Sequence, residues 1–366
     1  MAILHLELVS FRNHNKQEFN FIPGLTVIWG ENGSGKTAIL EAIHVLSFGR
    51  SFRTHKYREL IKNKSSQLLV RGNFENKDTQ DQVAVQMEKP SGIKLRLNGK
   101  PLSSRKELIG RNNVVVLSPE EQSVTKGAPI ERRKFFDKMF SVTSREYVDT
   151  LQNYNRVLKQ RNAVIQNAKD GSVPTKDIQS WDDQLISTGQ KLWLLRFQFI
   201  STFKTRLSSV VNRYDNKILF ELTYLKEAPT QGLYKSEITN ALKKDLRLGR
   251  TTYGPHRDDI SFVWDRRDLR SLGSQGEHKL SLVLLKLTEM VFIREKTGNH
   301  PTLLLDDLFA KLDLGRSKKI VSLLQGLETE SGDPVQTIVT TTDLLNVEKS
   351  GLMSGEIENK TYNLKR

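Results

Sequence analysis

Eight residues restrict the possible folds of this 366-residue chain more than any others. Gly30-Glu31-Asn32-Gly33-Ser34-Gly35-Lys36-Thr37 fills every fixed position of G-x-x-x-x-G-K-[ST]. The apolar run Leu25-Thr26-Val27-Ile28-Trp29 ahead of it predicts a short buried strand. Ile39, Ile43 and Leu46 after it share one face of a helix predicted over 36–47. Strand, glycine turn and helix, in that order, is the setting this motif needs. The glycines let backbone N–H groups turn inward around phosphate oxygens, and the helix start adds its positive end. A chance match in a glycine-rich turn lacks that setting. Residues Gly30, Glu31, Asn32, Gly33, Ser34 and Gly35 are therefore expected to cradle the phosphates of ATP. Lys36 is expected to reach the β- and γ-phosphates, and the Thr37 hydroxyl to ligate Mg²⁺.

A second acidic element fits the first. Thr302-Leu303-Leu304-Leu305-Asp306-Asp307 is an apolar strand that ends in two carboxylates. The carboxyl end of a parallel strand lies at the ligand crevice. Asp306 is the expected Mg²⁺ ligand, and Asp307 the group that polarises the attacking water. A metal-free helix cap uses the same residues, but the phosphate loop upstream favours the catalytic reading.

The intervening sequence changes texture. Ile3 to Val9 alternates as a half-buried strand, and 67–101 reads as antiparallel strands, with Asn98-Gly99 as a turn pair. From 129 to 213 long helical stretches dominate, interrupted near Gly171 to Pro174. Strand and helix then alternate again, over 260–264, 277–295, 302–306, 314–327 and 336–341. The expected architecture is an α/β nucleotide-binding head split between 1–125 and 250–366, with a mixed sheet. A mainly helical lobe over 126–249 is inserted between the halves.

Composition narrows the partner. Lys and Arg number 57 against 42 Asp and Glu, a formal charge of +15. That excess suits an anionic partner, nucleic acid before an acidic membrane. With no cysteine, disulfides and thiol chemistry are excluded. The N-terminal residues lack a basic start and an apolar run, and no stretch of about 18 apolar residues occurs. A cytoplasmic protein without a membrane span is expected.

Between the two phosphate-site motifs stands Ser271-Leu272-Gly273-Ser274-Gln275-Gly276-Glu277. Ser274 to Glu277 resembles the signature motif of ABC ATPases, and it also has the spacing of a helix capping box. A serine hydroxyl and N–H groups at a helix start suit a γ-phosphate, so Ser274 and Gly276 are candidate nucleotide contacts. Ala310-Lys311-Leu312-Asp313 resembles the D-loop that follows the acidic strand in ABC proteins. The order of these pieces is more specific than any one of them.

With these motifs the chain resembles the RecF family of ABC-type, SMC-like ATPases over essentially its whole length. Phe11-Arg12-Asn13, Gly49 to Thr54, Ser118 to Glu121, Arg132 to Asp137 and Tyr253-Gly254-Pro255-His256-Arg257-Asp258-Asp259 carry the resemblance. It implies that Arg12 lies near the nucleotide, and that ATP joins two heads, each Ser274 meeting the other copy's γ-phosphate. It implies a clamp on duplex DNA near single-strand gaps, slow DNA-stimulated hydrolysis, and work with RecO and RecR in loading a recombinase. Three departures stand out. Asp307 replaces the usual glutamate. No clear Q-loop glutamine exists, which leaves Glu120, Glu121 or Gln122. Thr340-Thr341-Thr342-Asp343 stands where a switch histidine is usual.

Three basic clusters are candidates for DNA phosphates. The first is 50–64, with Arg50, Arg53, Lys56 and Arg58. The second joins Arg132 and Arg133 to Arg156, Lys159 and Arg161. The third is Lys243, Lys244, Arg247 and Arg250. Each also suits a solvated helix face. No aromatic platform for single strands is evident, so duplex, gapped or junction DNA is the expected form. A phosphate-loop phosphotransferase acting on small molecules is the alternative, and it needs neither Ser274 nor a basic surface.

Overall fold

Strands buried on both faces read as unbroken apolar runs, and two such runs set the centre of this fold. The computed structural model describes residues 2–76, 79–89, 92–172, 174, 176–224, 227–308, 314–326, 335–354 and 358–365. They form two compact units. One comprises Met1–Gln122, Arg213–Asn216 and Leu282–Arg366, the other Ser123–Asn212 and Lys217–Ser281.

The first unit begins with β1 (Ala2–Phe11), β2 (His14–Asn20), β3 (Leu25–Gly30) and α1 (Lys36–Phe48). It continues with β4 (Gln67–Asn76), β5 (Thr79–Glu88), β6 (Gly92–Leu97), β7 (Lys100–Pro101) and β8 (Val114–Leu117). The second unit holds α2 (Ser123–Lys126), α3 (Pro129–Thr143), α4 (Arg145–Lys169) and most of α5 (Lys176–Tyr214). There follow β9 (Phe220–Thr223), α6 (Gln231–Leu248), β10 (Ser261–Trp264), β11 (Arg267–Asp268), α7 (Leu269–Leu272) and the start of α8 (Gln275–Thr297). The first unit then resumes with β12 (Thr302–Asp306), α9 (Leu314–Gln325), β13 (Thr337–Thr341), α10 (Leu344–Ser350) and β14 (Asn359–Leu364).

Two sheets build the first unit. One is antiparallel, in the order β2-β1-β4-β5-β6-β7, and the other is wholly parallel, in the order β14-β3-β13-β12-β8. In the first, Val83, Val85, Met87 and Leu95 point inward, and Asn98 and Gly99 both take positive φ in the tight turn into β7. Helix α1 packs against strands of both sheets. Twelve of its thirteen residues are buried, so it is apolar on nearly every side rather than amphipathic. The Gln336 side chain joins the sheets: its amide donates to Ile3 O (2.7 Å) and Ile22 O (2.9 Å), while its oxygen accepts from Ile3 N and Thr302 Oγ1.

The parallel order decides where the chemistry sits. β3, β13 and β12 are consecutive neighbours, with Thr340 opposite both Asp306 and Ile28. The phosphate loop leaving β3 and the acids ending β12 thus emerge at one edge, with Thr340 between them. On the other side of β3 runs β14. A Cβ on Gly30, at φ +150°, would lie 2.3 Å from Leu364 O. Gly30→Ala is expected to cost about 2 kcal/mol or more and to loosen β14. A chemical-denaturation midpoint equal to wild type is the contrary result.

In the second unit Phe136, Phe140, Tyr147, Phe199 and Phe203 form an aromatic core. β10 pairs with β9 and β11. The compact unit ends after Ser281, not after 249 as the sequence texture suggests. The reason is the Gly254 to Asp259 run, which is bonded into the helices. Asp258 accepts from Trp193 Nε1 (2.7 Å), Tyr224 OH (2.7 Å) and Arg196 Nη1 (3.2 Å), and Asp259 accepts a forked pair from Arg132. His256 meets Tyr154 OH at 2.6 Å, and burial pushes its pKa down to about 4. This is a structural polar network, not an acid–base site.

Candidate nucleotide site

The loop from Gly30 to Thr37 bends as its glycines permit, with φ of +150°, +82° and +101° at Gly30, Gly33 and Gly35. A side chain on Gly35 would strike His14 Nε2 and Asn13 Oδ1, at 2.5 and 2.6 Å. That close approach lets the β1–β2 turn brace the loop: Asn13 Nδ2 donates to Gly33 O (3.1 Å), and the His14 ring meets Gly35 O (3.1 Å). Lys36 Nζ donates to Gly30 O and Glu31 O, both at 2.8 Å. Burial lowers its pKa from the usual lysine range, and Asp307 and Asp306 oppose that shift. Ser34 Oγ is buried without a hydrogen-bond partner among the described residues, which suits a phosphate oxygen.

The two motifs meet directly. Thr37 Oγ1 donates to Asp306 Oδ1 at 2.8 Å, and Thr340 Oγ1 donates to the same oxygen at 2.6 Å. Burial raises the Asp306 pKa, while these two hydroxyls hold it down. Asp307 adopts a left-handed φ of +51°, and its N–H donates to Thr340 O. The cavity over the loop holds about 750 Å³ and is lined by Lys36, Thr37, Asp306, Asp307, Thr340 and Thr342, with Arg12 and Arg53 on its wall. Thr340 and Thr342, from the stretch that stands where a switch histidine is usual and could supply a threonine in its place, line this cavity. Of the Q-loop candidates, Glu121 is bound to the buried Lys286 (2.9 Å). Glu120 instead acts electrostatically on Asp306.

Ser274 and Gly276 lie in the other unit. Ser274 caps α8 with a complete reciprocal box: its N–H donates to Glu277 Oε2 (2.7 Å), and its Oγ accepts from Glu277 N (3.2 Å). Ser274 is exposed, and as an acceptor its hydroxyl keeps a proton to donate. The D-loop candidate, Ala310 to Asp313, lies outside the described residues.

The basic clusters divide. Arg50, Arg53, Lys56 and Arg58 are exposed, but Arg53, Arg58 and Lys62 line the cavity over the phosphate loop. Arg132 is corrected: it is 2% exposed and committed to Asp259 at 2.8 Å. Arg161 is corrected too. It is fully buried, bound to Asp182 (2.8 Å), Asp245 (2.7 Å) and Thr251 (2.8 Å). A buried charge needs such partners, so neither side chain is on a DNA-facing surface. Arg133 is half-buried and donates to Asp258 O. Arg156, Lys159, Lys243, Lys244, Arg247 and Arg250 remain exposed. No helix among the described residues is long and apolar enough to cross a membrane.

Comparison with known proteins shows the family. A family model described as the RecF/RecN/SMC N terminal domain matches residues 2–360. The DNA replication and repair protein RecF of Lachnoclostridium phytofermentans is 32% identical over 94% of this chain and 93% of its own. The chain belongs to the RecF family. RecF of Clostridioides difficile is 33% identical across 90% of each chain. A solved structure of the recombination mediator protein RecF-ATPrS in the RecFOR pathway aligns with a TM-score of 0.85 at 31% identity, over 94% of this chain and 93% of that one. An Smc head bound to the C-winged helix domain of ScpA aligns at 0.56 with 18% identity. That likeness speaks to fold alone, an ABC-type α/β head.

Proposed function

We propose that this RecF-family chain is an ATPase of DNA replication and recombinational repair. ATP joins two copies, and the dimer closes on duplex DNA near single-strand gaps. The observation that carries the reading is the 2.8 Å contact between Thr37 Oγ1 and Asp306 Oδ1, which brings the phosphate loop and the acidic strand together. Their separation also fits Mg²⁺, whose neighbouring octahedral ligands stand about 3 Å apart. Thr37 and Asp306 would hold the ion, and its charge would offset that of the phosphates. Lys36 neutralises phosphate oxygens, Thr340 keeps Asp306 oriented, and Asp307 orients water. The shorter reach of aspartate at that position supports slow hydrolysis, which resets the dimer.

Exposed Ser274, held at the start of α8, is the group offered to the nucleotide of a second copy. RecO and RecR are the partners proposed for recombinase loading, by family resemblance.

The test is fluorescence anisotropy of a gapped duplex with ATP and with ADP, for wild type and Ser274→Arg. ATP is expected to tighten binding at least about tenfold, and the substitution to remove that gain. Equal affinity with either nucleotide sinks the clamp and reopens the phosphotransferase alternative.

A further inference from the structure

Glu41 lies one helical turn beyond Thr37 on α1, and its side chain is fully buried. Both its oxygens are engaged. Arg12 Nε donates to Oε2 at 2.7 Å and Arg12 Nη2 to Oε1 at 2.5 Å. Ser51 Oγ donates to Oε1 at 2.5 Å, and Arg53 Nη1 stands 3.7 Å from Oε2. Ser51 Oγ accepts in turn from the N–H groups of Arg53 and Thr54. One carboxylate therefore organises two chain segments that border the cavity.

Arg12 is held from the other side as well. Its φ is +54°, in the left-handed region, and its Nη1 donates to Glu59 O at 2.8 Å. The next two residues brace the phosphate loop through Gly33 O and Gly35 O. A guanidinium fixed in advance binds an anion without first losing rotamer freedom. A bidentate carboxylate is the group best able to fix it.

We propose that Glu41 is a positioning residue for nucleotide recognition. It aims Arg12 at the phosphate-loop cavity, and the Ser51 hydroxyl helps hold its carboxylate in place. This rests on the nucleotide reading of that cavity, so the experiment separates the two. Dissociation constants for a fluorescent ATP analogue are measured for Arg12→Gln, Glu41→Gln, the double variant and Lys36→Ala, with a melting temperature for each.

Glu41→Gln is expected to weaken binding about tenfold. The double variant is expected to bind no more weakly than Arg12→Gln alone, because Glu41 acts through Arg12. That variant removes both charges of the pair, so it remains informative where Glu41→Gln alone leaves the half-buried Arg12 guanidinium without its carboxylate and fails to fold. A merely structural Glu41 lowers the melting temperature and leaves the dissociation constant of the folded protein at wild type. That result, or additive losses in the double variant, overturns the proposal. Wild-type affinity in Lys36→Ala overturns the nucleotide reading itself.

Discussion

Lys36→Ala is expected to weaken ATP binding by about a hundredfold or more and to abolish turnover. The lysine ammonium is the only cation rooted inside the phosphate loop, and it already donates to two loop carbonyls at 2.8 Å. A hydrogen bond to a charged group contributes about 1.5–3 kcal/mol, so the loss of two such bonds to phosphate spans roughly two to four decades of affinity. The fold is expected to survive, because β3 and α1 are held by apolar packing that alanine leaves in place. Titration calorimetry beside a thermal melt checks both halves. An unaltered melt with ATP affinity within threefold of wild type rejects the assigned role of Lys36.

Arg161→Met is expected to have the opposite profile: a large loss of stability and little change in DNA affinity for the folded protein. Its guanidinium bridges Asp182 and Asp245, and neither Arg161 nor Asp245 has exposed side-chain surface. Methionine fills comparable space but leaves the buried Asp245 without its cation. Breaking such a pair costs about 3–5 kcal/mol, which lowers the melting temperature by about 10 °C for a unit of this size. Lys159→Ala, on the exposed side of the same helix, is the control, and its melt is expected to match wild type. If Arg161→Met melts with wild type while weakening DNA binding, the structural assignment is wrong.

These arginines also show how the sequence misleads. Arg132 and Arg161 look like surface charge when counted by composition. By helical spacing they do not. Arg132 begins the stripe that continues through Phe136, Met139 and Phe140, and Arg161 follows Tyr154 and Val157 and precedes Ile165. All of these are buried. Basic residues on an apolar stripe signal internal pairing, here with Asp259 for Arg132 and with Asp182 and Asp245 for Arg161.

The phosphate loop and the acidic strand were legible because their chemistry is local: each needs a short run of fixed residue types. That they meet follows from the Mg²⁺ expected at Thr37 and Asp306, but the strand order β3-β13-β12 that brings them together is encoded by no local pattern. β2 was obscured for a different reason. His14-Asn15-Lys16-Gln17-Glu18 is polar because β2 is an edge strand, where charge discourages pairing with other chains. Ser51 and Glu41 gave no sign of partnership, since buried polar contacts between segments leave no periodic trace.

The position of β14 has a consequence for how the molecule is made. The strand that carries the phosphate loop is flanked by β13 and β14, and the Gln336 amide reaches back to Ile3 and Ile22. These pairings join residues more than three hundred positions apart, and closing such loops is slow. On the ribosome, β3 precedes its neighbours by about three hundred residues, while the helical unit, drawn from 123–212 and 217–281, is free to form before them. Assembly of the sheet around the phosphate loop therefore waits for residues 336–364 and does not follow from the Gly30–Thr37 motif alone.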